Sequence, residues 1–111
     1  MNARSVLSNL EEIKLLVNER NIDVLCISET WLESNIPDRY VNIEGFNLFR
    51  DDKGRGGGTC IYVRNYLNAT LVNTEFDSCE GIEFTLVKVQ CRKLPSVIVG
   101  AVYRHPKRFL F

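Results

Sequence analysis

No run in this sequence approaches the ~20 consecutive apolar residues that a membrane-spanning helix needs, and no secretory signal is legible at its start. Histidine is nearly absent, with His105 alone. The four cysteines, Cys26, Cys60, Cys79 and Cys91, include no C-x-x-C pair. Those spacings do not suit a zinc site. Cys26 and Cys60 lie inside apolar runs and are expected to be buried thiols. Free thiols without a signal segment imply a reducing, intracellular setting, nuclear or cytoplasmic. Neither sign of charge is in excess, with 14 basic and 14 acidic residues. A nucleic-acid coat protein would usually be basic. Neutrality leaves room for a nuclease, because a local basic face can hold phosphate while carboxylates hold metal, but charge alone gives no evidence for DNA. Repeats, linkers and low-complexity tracts are also missing. What is present is ordinary for a globular chain: 111 residues, 45% hydrophobic and 25% charged. Such a composition argues against disorder and fits one small domain or a piece of a larger one.

The first element reads as a helix. Ser8 and Glu11 have capping-box spacing, and Leu10, Ile13, Leu16 and Val17 recur at helical steps until Glu19-Arg20-Asn21. Residues 23 to 28 read as a strand whose continuous apolar run, Val24 to Ile27, implies burial on both faces. Helix followed by buried strand implies a layered α/β architecture. Breakers mark 33 to 45 as loop. Strands are expected at 46 to 50, at 59 to 64 with alternating faces, at 82 to 91, and at 96 to 103. After one early helix the chain therefore reads as mostly antiparallel strand.

Two strand ends draw notice. Glu29 follows a buried apolar run, where a carboxylate is costly unless something positive meets it. It either binds a divalent ion, which takes one or two carboxylates plus water and phosphate oxygens, or it caps the next turn or pairs with an arginine. The residues alone favour the second. Tyr103 and Arg104 end the last apolar strand. They read as a phenol and a guanidinium aimed at phosphate, or, more simply, as an amphipathic edge residue and a solvated charge. The run Arg55-Gly56-Gly57-Gly58 lacks the Lys-Ser/Thr of a P-loop and no helix pattern follows it. It reads as a strand connection needing positive φ. His105 has no identifiable partner. Trp31 is expected in the core.

Taken in order, these segments resemble a known family. Asn2-Ala3-Arg4-Ser5-Val6-Leu7 looks like an NxRSL opening, and Asp23 to Leu32 looks like D-I-L-x-L-x-E-T-W-L. Gly45-Phe46, Arg50-Asp51-Asp52, Gly56-Gly57-Gly58 and Ile61 to Arg64 follow in the expected sequence, then Glu83 to Val89, then Val99 to Pro106 as a counterpart of a "vgvvYRPP" strand. The pattern is similar to that of the endonuclease/exonuclease/phosphatase superfamily, in the branch carried by LINE-type (non-LTR) retrotransposons. Single motifs are weak, but five in order are specific, and they cover nearly the whole chain. Arg4 departs from the acidic residue of the related apurinic endonucleases, and His105 replaces the first proline of YRPP.

The resemblance implies a four-layered α/β sandwich with mostly antiparallel sheets, that is, an α+β arrangement. It implies Mg²⁺- or Mn²⁺-dependent hydrolysis of a phosphodiester in DNA, nicking a target for retrotransposition. Glu29 matches the metal-binding glutamate, Asn2 the asparagine that helps hold the metal site, and Tyr103 the tyrosine on the scissile phosphate. Arg104 would contact phosphate or DNA. The family's GDFN and SDH motifs do not occur in these residues. The expectation is therefore a partial domain over 1–111, without its C-terminal half and first strand, and little or no cleavage by this chain alone. The missing half, or a reverse transcriptase in a parent polyprotein, would be the partner. Uncovered sheet edges would otherwise favour aggregation or dimerisation. Two other readings remain open: a non-catalytic retrotransposon remnant or interaction protein, and a phosphatase-type member acting on another phosphate ester.

Overall fold

The computed structural model describes residues 1–73 and 81–105. Cys79 and the apolar end at 109–111 lie outside the described residues. The elements are α1 (Val6–Glu19), β1 (Val24–Ser28), a 3₁₀ turn (Asp38–Tyr40), β2 (Phe46–Asp51), β3 (Thr59–Arg64), β4 (Asn68–Leu71), β5 (Ile82–Gln90) and β6 (Val97–Arg104). They form an α+β fold with two antiparallel sheets, ordered β1-β3-β2 and β4-β5-β6.

The helix starts earlier than the Ser8–Glu11 spacing suggests. Ser5 is the N-cap, and its side chain accepts from the Ser8 amide at 3.3 Å. The cause is tertiary. The Ser5 and Val6 amides donate to the Glu29 and Thr30 carbonyls at 2.9 and 3.0 Å, so α1 springs directly from the end of β1. Its expected stripe holds: Ile13 and Val17 are buried and Leu10 packs beside them, joined by Val6. At the other end Arg64 donates to the Ile22 carbonyl at 3.1 Å and lies 4.2 Å from the Phe46 ring centroid. That guanidinium ties the exit of the helix to the first sheet.

Strand β3 alternates its faces as expected, and both are buried from Thr59 to Val63. It is the central strand of its sheet, with a layer on each face. Cys60 and Tyr62 face α1 together with Leu25 and Ile27 of β1. Ile61 and Val63 face the second sheet, against Val87, Val89 and Ala101. Both faces of β1 are likewise covered, as its apolar run implies, although Cys26 is half-buried where full burial was expected. β1 is the end strand of its sheet, flanked only by an isolated parallel bridge between Asn2 and Ser28.

Tyr62 is fully buried, and its hydroxyl donates to the Val41 carbonyl at 2.7 Å. That bond anchors the loop between β1 and β2. Cys60 is also fully buried, and burial pushes its thiol up to about 12. Iodoacetamide at neutral pH is expected to spare Cys60 in the folded protein and to label the partly exposed Cys91. Mass spectrometry that found Cys60 alkylated as fast as Cys91 would show that this core is open.

Three layers are thus present among the described residues: helix, first sheet, second sheet. Strand β6 corrects an expectation. Its apolar, β-branched run implies burial, yet of its residues only Ala101 is buried, and Val97, Ile98 and Val102 are exposed. It lies at the edge of the second sheet, and its outer side has no layer over it among the described residues. β4 has no signature in the sequence. Its four residues, Asn-Ala-Thr-Leu, carry too little apolar alternation to signal a strand, and pairing with β5 creates it.

Candidate functional site

The two sheets meet through apolar side chains at one end and polar ones at the other. On β5, residues of one parity face inward: Glu83, Thr85, Val87 and Val89. Thr85 meets Thr59 of β3, hydroxyl to hydroxyl, at 2.7 Å, with both buried. Glu83 is only 7% exposed, and its Oε2 accepts from the Gly58 amide at 2.6 Å. Glu83 is paired with Tyr103 across the β5–β6 ladder, so both side chains point toward the first sheet. The polar end therefore gathers the end of β1, the start of β3, the start of β5 and the end of β6.

At the end of β1 the backbone is strained. Glu29 and Trp31 take φ of 54° and 56°, and the adjoining Arg4 and Ser5 take 44° and 93°. Each left-handed residue costs roughly 1–2 kcal/mol. Hydrogen bonds hold the conformation from two sides. The helix start binds the Glu29 and Thr30 carbonyls, while the Thr30 and Trp31 amides donate to Gly58 and Gly57 at 3.3 and 2.9 Å. The glycine run is a strand connection with positive φ at Gly54, Gly56 and Gly58, as its composition suggests. It is also a close-contact surface. A Cβ on Gly58 would sit 2.4 Å from Thr30 Oγ1, and one on Gly57 would sit 2.7 Å from Glu83 Oε1.

This backbone turns the Glu29 carboxylate toward β6. Tyr103 donates its hydroxyl to Glu29 Oε1 at 2.9 Å, while Glu29 Oε2 is buried with no partner among the described residues. An ionised oxygen left without a donor or cation is costly. The hydrogen bond to Glu29, with lesser contributions from burial and from the charges of Glu29 and Glu83, holds the Tyr103 phenol above its usual range. The phenol thus remains a proton donor at neutral pH. His105, just past β6, lies edge-on to the Tyr103 ring with centroids 4.9 Å apart, and its Nε2 meets Glu83 Oε1.

Of the residues singled out in the sequence, Glu29 and Tyr103 come together directly. Asn2 is brought alongside Ser28, one position before Glu29, but it is exposed and its side chain makes no hydrogen bond among the described residues. Arg104 pairs with Ile82 and, by strand alternation, faces the outer side of the second sheet, away from Glu29. Trp31 is half-buried rather than core, with the Arg55 guanidinium 5.7 Å from its ring centroid. The left-handed turn at Glu29–Trp31 carries it out of the core, while Leu32 takes the buried place. The histidine that lacked a partner has one in Glu83. Parity was the available signal: Glu83 and Thr85 share the inward face of Val87 and Val89.

Glu29 is the one described carboxylate here with a buried, unused oxygen, which suits a single-carboxylate contact to a hard divalent ion. No group of three or more His, Cys, Asp or Glu placed to hold a metal occurs among the described residues. Any ion would draw its other ligands from water, phosphate or groups elsewhere.

No family profile matches the chain, and no curated protein does. Among solved structures the fold is similar to that of an AP endonuclease from Archaeoglobus fulgidus, with a TM-score of 0.59 and 24% sequence identity over 87% of this chain. The matched region is 37% of that protein's length. What the likeness establishes is architecture: this chain has, over a little more than a third of an AP endonuclease's length, the nuclease's fold.

Proposed function

We propose that this chain carries one wall of a phosphodiester-cleaving site in a divalent-metal-dependent DNA endonuclease of the LINE-type retrotransposon branch, and that it cleaves little or no DNA by itself. The observation that carries the reading is the state of Glu29, with Oε1 held by the Tyr103 hydroxyl and Oε2 buried without a partner among the described residues. The ordered motifs and the nuclease-like architecture support it. So does the strained backbone at Glu29, since such strain gathers at functional sites.

A Mg²⁺ or Mn²⁺ ion bound at Glu29 Oε2 would polarise a phosphoryl oxygen and offset charge in the transition state. The chain's own groups have definite parts. Glu29 is held in one orientation by its backbone and by Tyr103. Tyr103 fixes the carboxylate through its single O–H, and would turn that proton to a phosphate oxygen only once an ion takes its place on Glu29. Asn2 stands beside Ser28, where an incoming ligand could recruit its amide. DNA is the partner of the assembled enzyme, in a nuclear or cytoplasmic setting. The groups that orient the attacking water would come from outside these residues. A remnant without catalysis is the second reading, favoured by the apolar side of β6, which no layer covers among the described residues.

Paramagnetic broadening by Mn²⁺ tests the metal half. Resonances of Glu29 and Tyr103 are expected to broaden first. Glu29→Gln is expected to abolish the effect, and Tyr103→Phe to weaken affinity by about tenfold, as loss of a ligand-orienting hydrogen bond does. Broadening spread evenly over surface carboxylates would reject Glu29 as the ligand. A Mg²⁺-dependent plasmid-nicking assay tests the other half. Robust nicking by the chain, lost in Glu29→Ala, would overturn the expected inactivity.

A further inference from the structure

We propose that Glu83 is the positioning residue of this site: one buried carboxylate whose two oxygens separately hold the two segments that bear Glu29 and Tyr103. Its Oε2 takes the Gly58 amide at 2.6 Å. Gly58 and its neighbour Gly57 then hold the Thr30 and Trp31 amides, the two positions after Glu29. Its Oε1 takes His105 Nε2, and the His105 ring stands edge-on to Tyr103. The His105 amide also donates to the Gly81 carbonyl at 2.8 Å, which fixes the backbone beyond β6. Tyr103 closes the circuit on Glu29 Oε1.

A carboxylate is a poor choice for packing alone. Buried ion pairs are often matched or bettered in stability by apolar residues of similar volume, whereas a carboxylate met by directed donors constrains geometry. Here the carboxylate is admitted by an absence, since any side chain at Gly57 would place its Cβ 2.7 Å from Oε1. The rest of the inward face of β5 is satisfied without Glu83. Thr85 pairs with Thr59, and Val87 and Val89 lie in the apolar cluster. Glu83 therefore serves the polar end of the interface. It reaches both site segments without a hydrogen bond to Glu29, and so acts through its neighbours. That the positioned groups serve phosphodiester cleavage rests on the reading given above; the positioning itself does not.

The test needs neither metal nor DNA, so the two readings can fail independently. Three variants of the full chain suffice: Glu83→Leu, Glu83→Gln and His105→Ala. The last removes a side chain that is 45% exposed, so it leaves the core intact. Two readouts follow by NMR: the nuclear Overhauser contact between the Tyr103 ring and the Glu29 methylenes, and amide hydrogen exchange at Thr30 and Trp31. Contacts between Thr59 and Thr85 report that the sheets remain joined. His105→Ala is expected to lose the Tyr103–Glu29 contact and leave the exchange rates unchanged. Glu83→Gln, which keeps an acceptor for Gly58 but loses the charge facing His105, is expected to behave the same way. Glu83→Leu is expected to lose the contact and to speed exchange at both amides. A folded Glu83→Leu protein with wild-type contact and exchange overturns the proposal, as does a His105→Ala protein that keeps the Tyr103–Glu29 contact.

Discussion

Gly58→Ala is expected to cost about 3 kcal/mol or more of folding stability, the sum of a backbone and a packing penalty. At φ +91° an alanine pays roughly 1–2 kcal/mol for the left-handed conformation. Its Cβ would also lie 2.4 Å from Thr30 Oγ1, a side chain with no exposed surface and one that accepts from the Leu32 amide. Overpacking of that kind costs about 1–3 kcal/mol. Gly56 supplies the control. Its φ is +81°, yet nothing lies within 4 Å of its would-be Cβ, so Gly56→Ala carries the backbone penalty alone. Urea unfolding of the two variants separates the terms. Equal losses would mean that Thr30 yields freely and that the close approach has no structural weight. For a domain whose whole margin is about 5–15 kcal/mol, the Gly58 variant should also loosen the turn that carries Glu29.

Arg50→Ala is the other large effect, expected at about 2–3 kcal/mol, from the loss of charge-assisted hydrogen bonds around a partly buried guanidinium. The Arg50 side chain is 12% exposed and makes five hydrogen bonds. Two go to Asp52, which is itself 17% exposed, one to Asp38, and the others to the Glu33 and Ile36 carbonyls. A single guanidinium thus pins the loop before β2. Arg50→Lys is expected to recover little, because an ammonium cannot reproduce the planar fork. Denaturation together with hydrogen exchange over residues 33–40 measures both stability and loop order. A loss below about 1 kcal/mol would assign Arg50 to the ordinary class of surface ion pairs.

The parts of the fold that could be read in the sequence are those where one local pattern decides. The stripe Ile13–Val17 and the run Val24–Ile27 keep their roles because each matches the period of the element it builds. The start of α1 is not legible locally, because its cap is chosen by the Glu29 and Thr30 carbonyls, which no local window contains. The exposure of β6 is not legible because β-branched residues do not reveal whether a covering layer is present. At the site, Glu29 and Tyr103 stood out as polar groups ending apolar strands. Glu83 did not, since a glutamate within a strand is usually solvent-facing, and only register shows that it shares the inward side with Val87. His105 looked solitary for the same reason: its partner lies on another strand.

The hydrogen bond from Tyr103 to Glu29 joins positions 74 apart in the chain, and Gly58 reaches Glu83 across 25. Closing such long loops yields no contact energy until their ends meet, which places these bonds late in folding. Helix α1 and the β2–β3 pair can form from near neighbours, whereas the strained turn needs the helix start, the glycine connection and the far end of β6 together. The site is thus an indicator of completion. A chain cut or misregistered anywhere between Glu29 and Tyr103 can keep most of its secondary structure and still lack the one geometry in which these two residues meet.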